Sequence, residues 1–168
     1  VVGATRDVYV VDAESSSLRW VSAGGDVSTI TLSTGSIPVA VVLGLDPNTL
    51  YATADDSTVL RVDIGGGTGL IASGAGGSPP GDGSCTGATF WAPRGLAFGG
   101  VLYVADTFND AVRQVDFSGG CNVNTLPASP AVKQPAGIVV DTSTSPSTVY
   151  VTNITTIVSI ASGTSSVV

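Results

Sequence analysis

One pattern returns four times along this chain, at a spacing of roughly 40–50 residues, and it constrains the fold more than any other feature. Its clearest copy runs Pro93-Arg94-Gly95-Leu96-Ala97-Phe98, then Leu102-Tyr103-Val104-Ala105-Asp106, then Ala111-Val112-Arg113-Gln114-Val115-Asp116-Phe117. The other copies centre on Tyr9, Tyr51 and Tyr150. Short apolar runs broken by turn residues cannot bury their faces alone. A repeat of this length therefore implies units that stack on one another.

The copies align residue by residue. Val8-Tyr9-Val10-Val11-Asp12 and Val149-Tyr150-Val151-Thr152-Asn153 match the Tyr103 run, and Leu50-Tyr51-Ala52-Thr53-Ala54 matches it loosely. After a polar turn each continues into a second strand: Leu18–Ser22, Leu60–Asp63, Val112–Asp116 or Ile157–Ala161. Ahead of each lies a small apolar run, Val1–Ala4, Val39–Val42, Gly95–Phe98 or Gly137–Val140. Pro38, Pro93 and Pro135 open the last three, a position where proline costs no ladder hydrogen bond. Weaker outer strands are expected at Val27–Leu32, Gly67–Ala72, Cys121–Leu126 and Ser162–Val168. No stretch holds a 3.6-residue apolar period. The chain reads as all-β: one β-propeller domain, 1–168, of four four-stranded antiparallel blades at about 1–37, 38–92, 93–134 and 135–168.

The third copy also resembles a known family. Gly76-Gly77-Ser78-Pro79-Pro80-Gly81-Asp82-Gly83, the Pro93-Arg94-Gly95 strand start, Tyr103-Val104-Ala105-Asp106-Thr107 and Val112-Arg113-Gln114-Val115-Asp116 together look like an NHL repeat. The other copies match only at the Tyr strand and the strand start, and Asp110 stands where the family usually has His or Arg in the hairpin. NHL propellers commonly have six blades. The resemblance therefore leaves open a complete four-bladed ring or four blades of something larger.

Charge narrows the partners. Charged residues make up 11% of the chain and the net charge is −7, with five Arg and one Lys. This provides no electrostatic footprint for nucleic acid, and no apolar stretch approaches a membrane span. The chain holds no Met, as a processed form or a fragment would. Cys85 and Cys121 flank one predicted blade, so blade geometry brings them within reach of a disulfide; two separate reduced thiols are the alternative. Low Lys content, abundant Ser and Thr, and the sequon Asn153-Ile154-Thr155 point to an extracellular or cell-surface glycoprotein.

The absence of histidine excludes Ser-His-Asp, Cys-His and His-ligated zinc chemistry. The zinc-dependent amidating activity of some NHL propellers therefore cannot carry over. Related lactonases hold calcium with carboxylates and amides on the central face, which would here implicate Asp12, Asp106 and Asn153. The plainer expectation is that these three cap the hairpin that follows the Tyr strand. Asp55-Asp56 reads as a hairpin tip, Gly65-Gly66-Gly67-Thr68-Gly69 as a strand turn, and Asp82 as a loop residue that could otherwise hold calcium. Trp91 is expected to pack between blades, leaving Trp20 as the exposed contact.

The resulting expectation is a non-enzymatic extracellular scaffold that presents loops to a protein or glycan. A structural subunit that assembles with copies of itself in a fibre or cell-surface array is the alternative. A calcium-dependent lactonase-like hydrolase comes third.

Overall fold

The computed structural model describes residues 1, 6–32, 34–65, 67–73, 81–127, 132–161 and 164–168. Four antiparallel sheets follow one another along the chain. The first holds β1 (Val8–Asp12), β2 (Ser17–Val21) and β3 (Val27–Thr31), and the second β4 (Pro38–Leu43), β5 (Thr49–Ala54), β6 (Thr58–Asp63) and β7 (Gly67–Ser73). The third contains β8 (Gly83–Ser84), β9 (Pro93–Phe98), β10 (Leu102–Asp106), β11 (Ala111–Asp116) and β12 (Asn122–Thr125). The fourth is β13 (Ile138–Asp141), β14 (Thr148–Thr152), β15 (Ile157–Ala161) and β16 (Thr164–Val167). Most of the strand expected at Val1–Ala4 lies outside the described residues. Val1 itself exchanges two 2.8 Å main-chain hydrogen bonds with Tyr9, as an antiparallel neighbour of β1 would. Gly76–Pro80 of the glycine-rich loop and Ser162-Gly163 also lie outside.

The four tyrosines occupy equivalent positions in β1, β5, β10 and β14, opposite Trp20, Arg61, Gln114 and Ser159. Successive residues of a strand point to opposite faces. Residues on either side of a tyrosine therefore face the preceding sheet, while the tyrosine faces the next. Tyr9 packs among Leu50, Ala52, Leu60 and Val62 of the second sheet. Tyr51 stacks on Phe98 and Phe117 of the third sheet, with ring centroids 5.6 and 5.3 Å away, over Leu102 and Val104. Tyr103 packs against Val149, Val151 and Ile160 of the fourth. Each such large side chain contributes about 1.5–3 kcal/mol when fully buried, so the joints between sheets carry much of the stability.

The first strands bring the sheets together: β1 lies against β4, β4 against β9, and β9 against β13. The approach is close enough to demand glycine. A Cβ on Gly95 would sit inside the van der Waals shell of the Ala136 carbonyl oxygen in the next sheet, and 3.1 Å from the Ile138 side chain. Hydroxyls tie the same joints, with Thr53 Oγ1 donating to Arg94 O and Thr107 Oγ1 to Pro135 O, both at 2.7 Å.

The third sheet has a strand that sequence reading missed. β8 pairs with the outer edge of β12, and Cys85 N–H donates to Cys121 O at 2.9 Å. The Cys85–Cys121 disulfide locks this edge, with Cα atoms 5.3 Å apart. A closed loop of this length is worth about 3–4 kcal/mol in the chain-entropy account. No helix among the described residues is long and apolar enough to cross a membrane.

Gly95→Ala should lower stability by about 2–3 kcal/mol, because main chain rather than a mobile side chain blocks the added methyl. Gly119→Ala, where nothing lies within 4 Å, is the control and should change stability by less than about 0.5 kcal/mol. Urea unfolding of both variants reads the difference; equal effects would refute the close-approach account.

Candidate interaction face

The hairpins that follow the tyrosine strands all emerge at one end of their sheets. That of the third sheet is held by a buried ion pair. Arg113, fully buried on β11, donates from Nη1 to Asp106 Oδ2 at 3.0 Å and to Thr89 O at 2.8 Å. Its Nη2 donates to Gly81 O at 2.7 Å and to Asp82 Oδ1 at 2.8 Å, and the guanidinium lies 5.0 Å from the Phe90 ring centroid. One arginine thus binds the segment Gly81–Phe90 to the blade that follows it. Removing one member of a buried pair typically costs about 3–5 kcal/mol, since the other is left charged and unpaired.

Asp106 carries this order to the surface. Its Oδ1 accepts the Trp91 N–H at 2.8 Å and its Oδ2 the Asn109 side-chain amide at 2.9 Å. Burial pushes its carboxyl above the usual range, against hydrogen bonds from Trp91 N–H, Asn109 and Arg113. Phe108 N–H then donates to Trp91 O at 3.0 Å, and the two rings meet edge to face, 5.7 Å apart at 87°. Both remain open to solvent, Trp91 at 40% and Phe108 at 48% exposure. Beside them runs a groove of about 260 Å³ lined by Val39, Ala54, Asp55, Pro93, Arg94 and Phe108. Ala92, at φ 47°, turns the chain into this groove, and its N–H donates to Ser57 Oγ at 3.0 Å in the preceding sheet. A non-glycine residue in the left-handed region costs about 1–3 kcal/mol, and such strain persists only where neighbours impose it. Asp55 is occupied by the Ile37 N–H at 3.1 Å, whereas exposed Arg94 pairs with no carboxylate among the described residues.

The three residues aligned as calcium candidates sit one per blade, and each accepts hydrogen bonds from within the chain. Asp12 Oδ2 accepts from Arg19 at 2.8 Å and its Oδ1 from Ser15 N–H at 3.2 Å; Arg19, followed by Ser15, holds its carboxyl below the usual range. Asn153 Oδ1 accepts from Ile154 N–H at 2.8 Å and Lys133 N–H at 3.1 Å. Asp12 and Asn153 thus bond to local backbone as hairpin caps do, whereas Asp106 is buried and spans two segments. No group of three or more Cys, Asp or Glu side chains fit to hold a metal occurs among the described residues.

Asp82 proves to be a latch: Oδ1 accepts from Arg113 and from Thr125 Oγ1, and Oδ2 from Thr125 N–H. Asp110, at the family's His or Arg position, accepts from Lys133 Nζ at 2.7 Å and Gln134 N–H at 2.9 Å, joining the hairpin to the segment that enters the fourth sheet. Asp56, at its hairpin tip, accepts from Ser36 Oγ and Thr58 Oγ1. The tryptophans exchange the roles expected of them. Trp20 is cross-strand partner to Tyr9, so it shares the tyrosine's face and packs on the Leu18 and Leu50 cluster. Trp91 is the open one. Sequence reading also passed over Phe108 and Arg94, whose only signal was their position at a hairpin and a strand start. A larger groove of about 470 Å³ lies beside the disulfide, between Tyr51, Arg61, Leu70 and Phe117, but there Asp63 neutralises Arg61 at 3.0 Å.

Burial raises the Asp82 pKa, but the Thr125 hydrogen bonds and Arg113 outweigh it and leave the carboxyl below the usual range. A lowered folded pKa means that the unfolded chain binds protons first as pH falls. Asp82 should therefore stabilise the fold above about pH 4 and lose that contribution as pH drops through its folded value. Asp82→Asn should be less stable than the parent at pH 7, with the gap closing below about pH 4 in urea titrations. A gap constant to about pH 2 would show that hydrogen-bond geometry, not charge, does the work.

No family model matches the sequence, and no curated protein matches it. Solved structures do match. A virginiamycin B lyase from Staphylococcus aureus, solved in catalytically inactive form with quinupristin, superposes at a TM-score of 0.73 with 15% identity, covering 100% of this chain and 53% of that one. A Bacteroides thetaiotaomicron protein of unknown function gives 0.74 and 18%, covering 90% and 43%. A nidogen/laminin complex gives 0.68 and 14%, covering 96% and 60%. The neighbours are β-propellers, and the four sheets here fit propeller blades. The chain spans about half the length of the lyase chains.

Proposed function

We propose that this chain is a non-enzymatic, extracellular NHL-like propeller segment whose hairpin face binds a protein partner. The observation that carries the reading is the Trp91–Phe108 pair beside Arg94. Two aromatic rings stand in water at the rim of a groove, held there by a buried Asp106–Arg113 pair, next to a cation that pairs with no carboxylate among the described residues. Rigid aromatics and arginine are the side chains that dominate binding at interfaces, because they bury much area with little entropy to lose. The groove suits a segment with an apolar anchor followed by a carboxylate. The disulfide supports an oxidising compartment. A glycan partner is the variant of this reading that the same experiment detects.

Short peptides selected from a display library on the immobilised protein should favour an aromatic or aliphatic anchor next to an acidic residue. Trp91→Ala should weaken the best of them by about thirtyfold, near 2 kcal/mol, and Arg94→Glu should erase the acidic preference. Isothermal titration reads both, with circular dichroism confirming the fold. Binding untouched by either substitution would reject this face, and binding on a glycan array with no peptide selected would replace the partner class.

Asn153, on the hairpin of the fourth sheet, is half-buried, while the following Ile154 and Thr155 are exposed. Secreted from eukaryotic cells, the protein should carry one N-glycan, removed by amidase treatment and absent from Asn153→Gln. An unmodified mass on secreted protein would rule it out.

A further inference from the structure

The joints between blades repeat one arrangement beside the tyrosine, but the side chain that stands next to it differs. Trp20 and Arg61 are the cross-strand partners of Tyr9 and Tyr51, so both project onto the face that meets the following blade. That blade answers from two equivalent positions. Leu43 and Phe98 pair with the residue ahead of the next tyrosine, and Ile64 and Phe117 directly follow β6 and β11.

At the first joint a ring fills the place between them. Trp20 packs with Leu43 and Ile64 on the cluster around Leu18 and Leu50. Its Nε1 is buried without a hydrogen-bond partner among the described residues, so this place holds an indole by shape and apolar area alone. The second joint has the same place without its ring. Arg61 stands there instead, and Gly69 pairs with it where the first blade pairs Ser28 with Trp20. A Cβ on Gly69 would find only the Arg61 carbonyl oxygen within 4 Å, at 3.9 Å. What remains is the groove of about 470 Å³, a volume in the range of small-molecule sites. Tyr51, Phe117, the Cys85–Cys121 disulfide and Leu70 line it, and Leu70 is 54% exposed.

We infer that this groove binds a small, neutral, planar aromatic molecule of about indole size, which takes the place that Trp20 fills at the first joint. Stacking favours a ring. Phe98, Tyr51 and Phe117 already lie nearly parallel, at interplanar angles of 18° and 9°, and a ligand ring beside half-buried Phe117 extends that series. Charge selects a neutral one. Asp63 pairs with Arg61 at 3.0 Å, so the rim holds no unmatched charge for an acid or an amine. An arginine bonded at its edge still presents the flat of its guanidinium to an aromatic face. This inference goes beyond the hairpin-face reading and shares no residue with it.

Isothermal titration of the 168-residue chain, disulfide intact, with indole should show one site with a dissociation constant below about 1 mM. Indole-3-acetate and tryptamine, its acidic and basic counterparts, should each bind at least about fivefold more weakly. Arg61→Trp puts the first joint's ring into the groove and should weaken indole binding at least about tenfold, with an unchanged circular dichroism spectrum. Leu70→Asp, a charge at an exposed position in the wall, should weaken it as much if the larger ring disturbs folding. Val27→Asp, at a 65% exposed position on β3, should leave binding as it was. No saturable binding below that limit, binding indifferent to both groove variants, an equal loss in Val27→Asp, or tighter binding of either charged probe would each overturn the inference.

Discussion

A propeller blade has two apolar faces, and within this fold only another blade can cover them. Everything else here follows from that requirement. Tyr51 shows it most fully: it leaves its own sheet and lies between Phe98 and Phe117 of the next, over Leu102 and Val104. The tyrosine is long enough to cross the gap between two twisted sheets. At the joint that follows, Gly95 lets strand β9 approach the fourth sheet until backbone meets backbone. Stability therefore belongs to joints and not to blades, as in other repeat architectures where each unit is incomplete alone.

The hairpin face is a product of the same economy in one place. Arg113 and Asp106 could have been leucines, and hydrophobic replacement of such pairs is often neutral or stabilising. What the pair adds is reach. Through four guanidinium bonds and the Trp91 N–H, it fixes the Gly81–Phe90 segment beyond the two residues that pair with β12 and sets an aromatic pair at the surface. The first blade repeats the chemistry without the result. Asp12 and Arg19 occupy the positions of Asp106 and Arg113 and bond to each other, yet both remain partly exposed. No described segment lies over them to play the part of Gly81–Phe90. An identical pair is a surface bridge in one blade and the keystone of a loop in another.

Strand order, hairpin positions, the equivalence of the four tyrosines and the closeness of Cys85 to Cys121 were all legible in the residues. They depend on local alternation, on turn residues and on a repeat, which neighbours along the chain specify. β8 was not legible. It is two residues long, and it exists because the disulfide and the β12 edge hold it. The exposure of the tryptophans was not legible either. Trp20 stands where other blades carry Arg61 and Gln114, and that comparison suggested an open position. In the fold its strand face is the one that meets the second blade.

By itself, then, the sequence determined an all-β chain of repeated hairpins with a tyrosine at the centre of each unit, since those features rest on interactions a few residues apart. Tertiary structure alone decided what the repeat leaves uncovered. Arg113 reaches Asp82 across 31 residues, and Asp82 reaches Thr125 across 43. Whether an arginine is buried or a tryptophan open depends on which segment lies opposite, and separations of that kind leave no periodic trace in the chain.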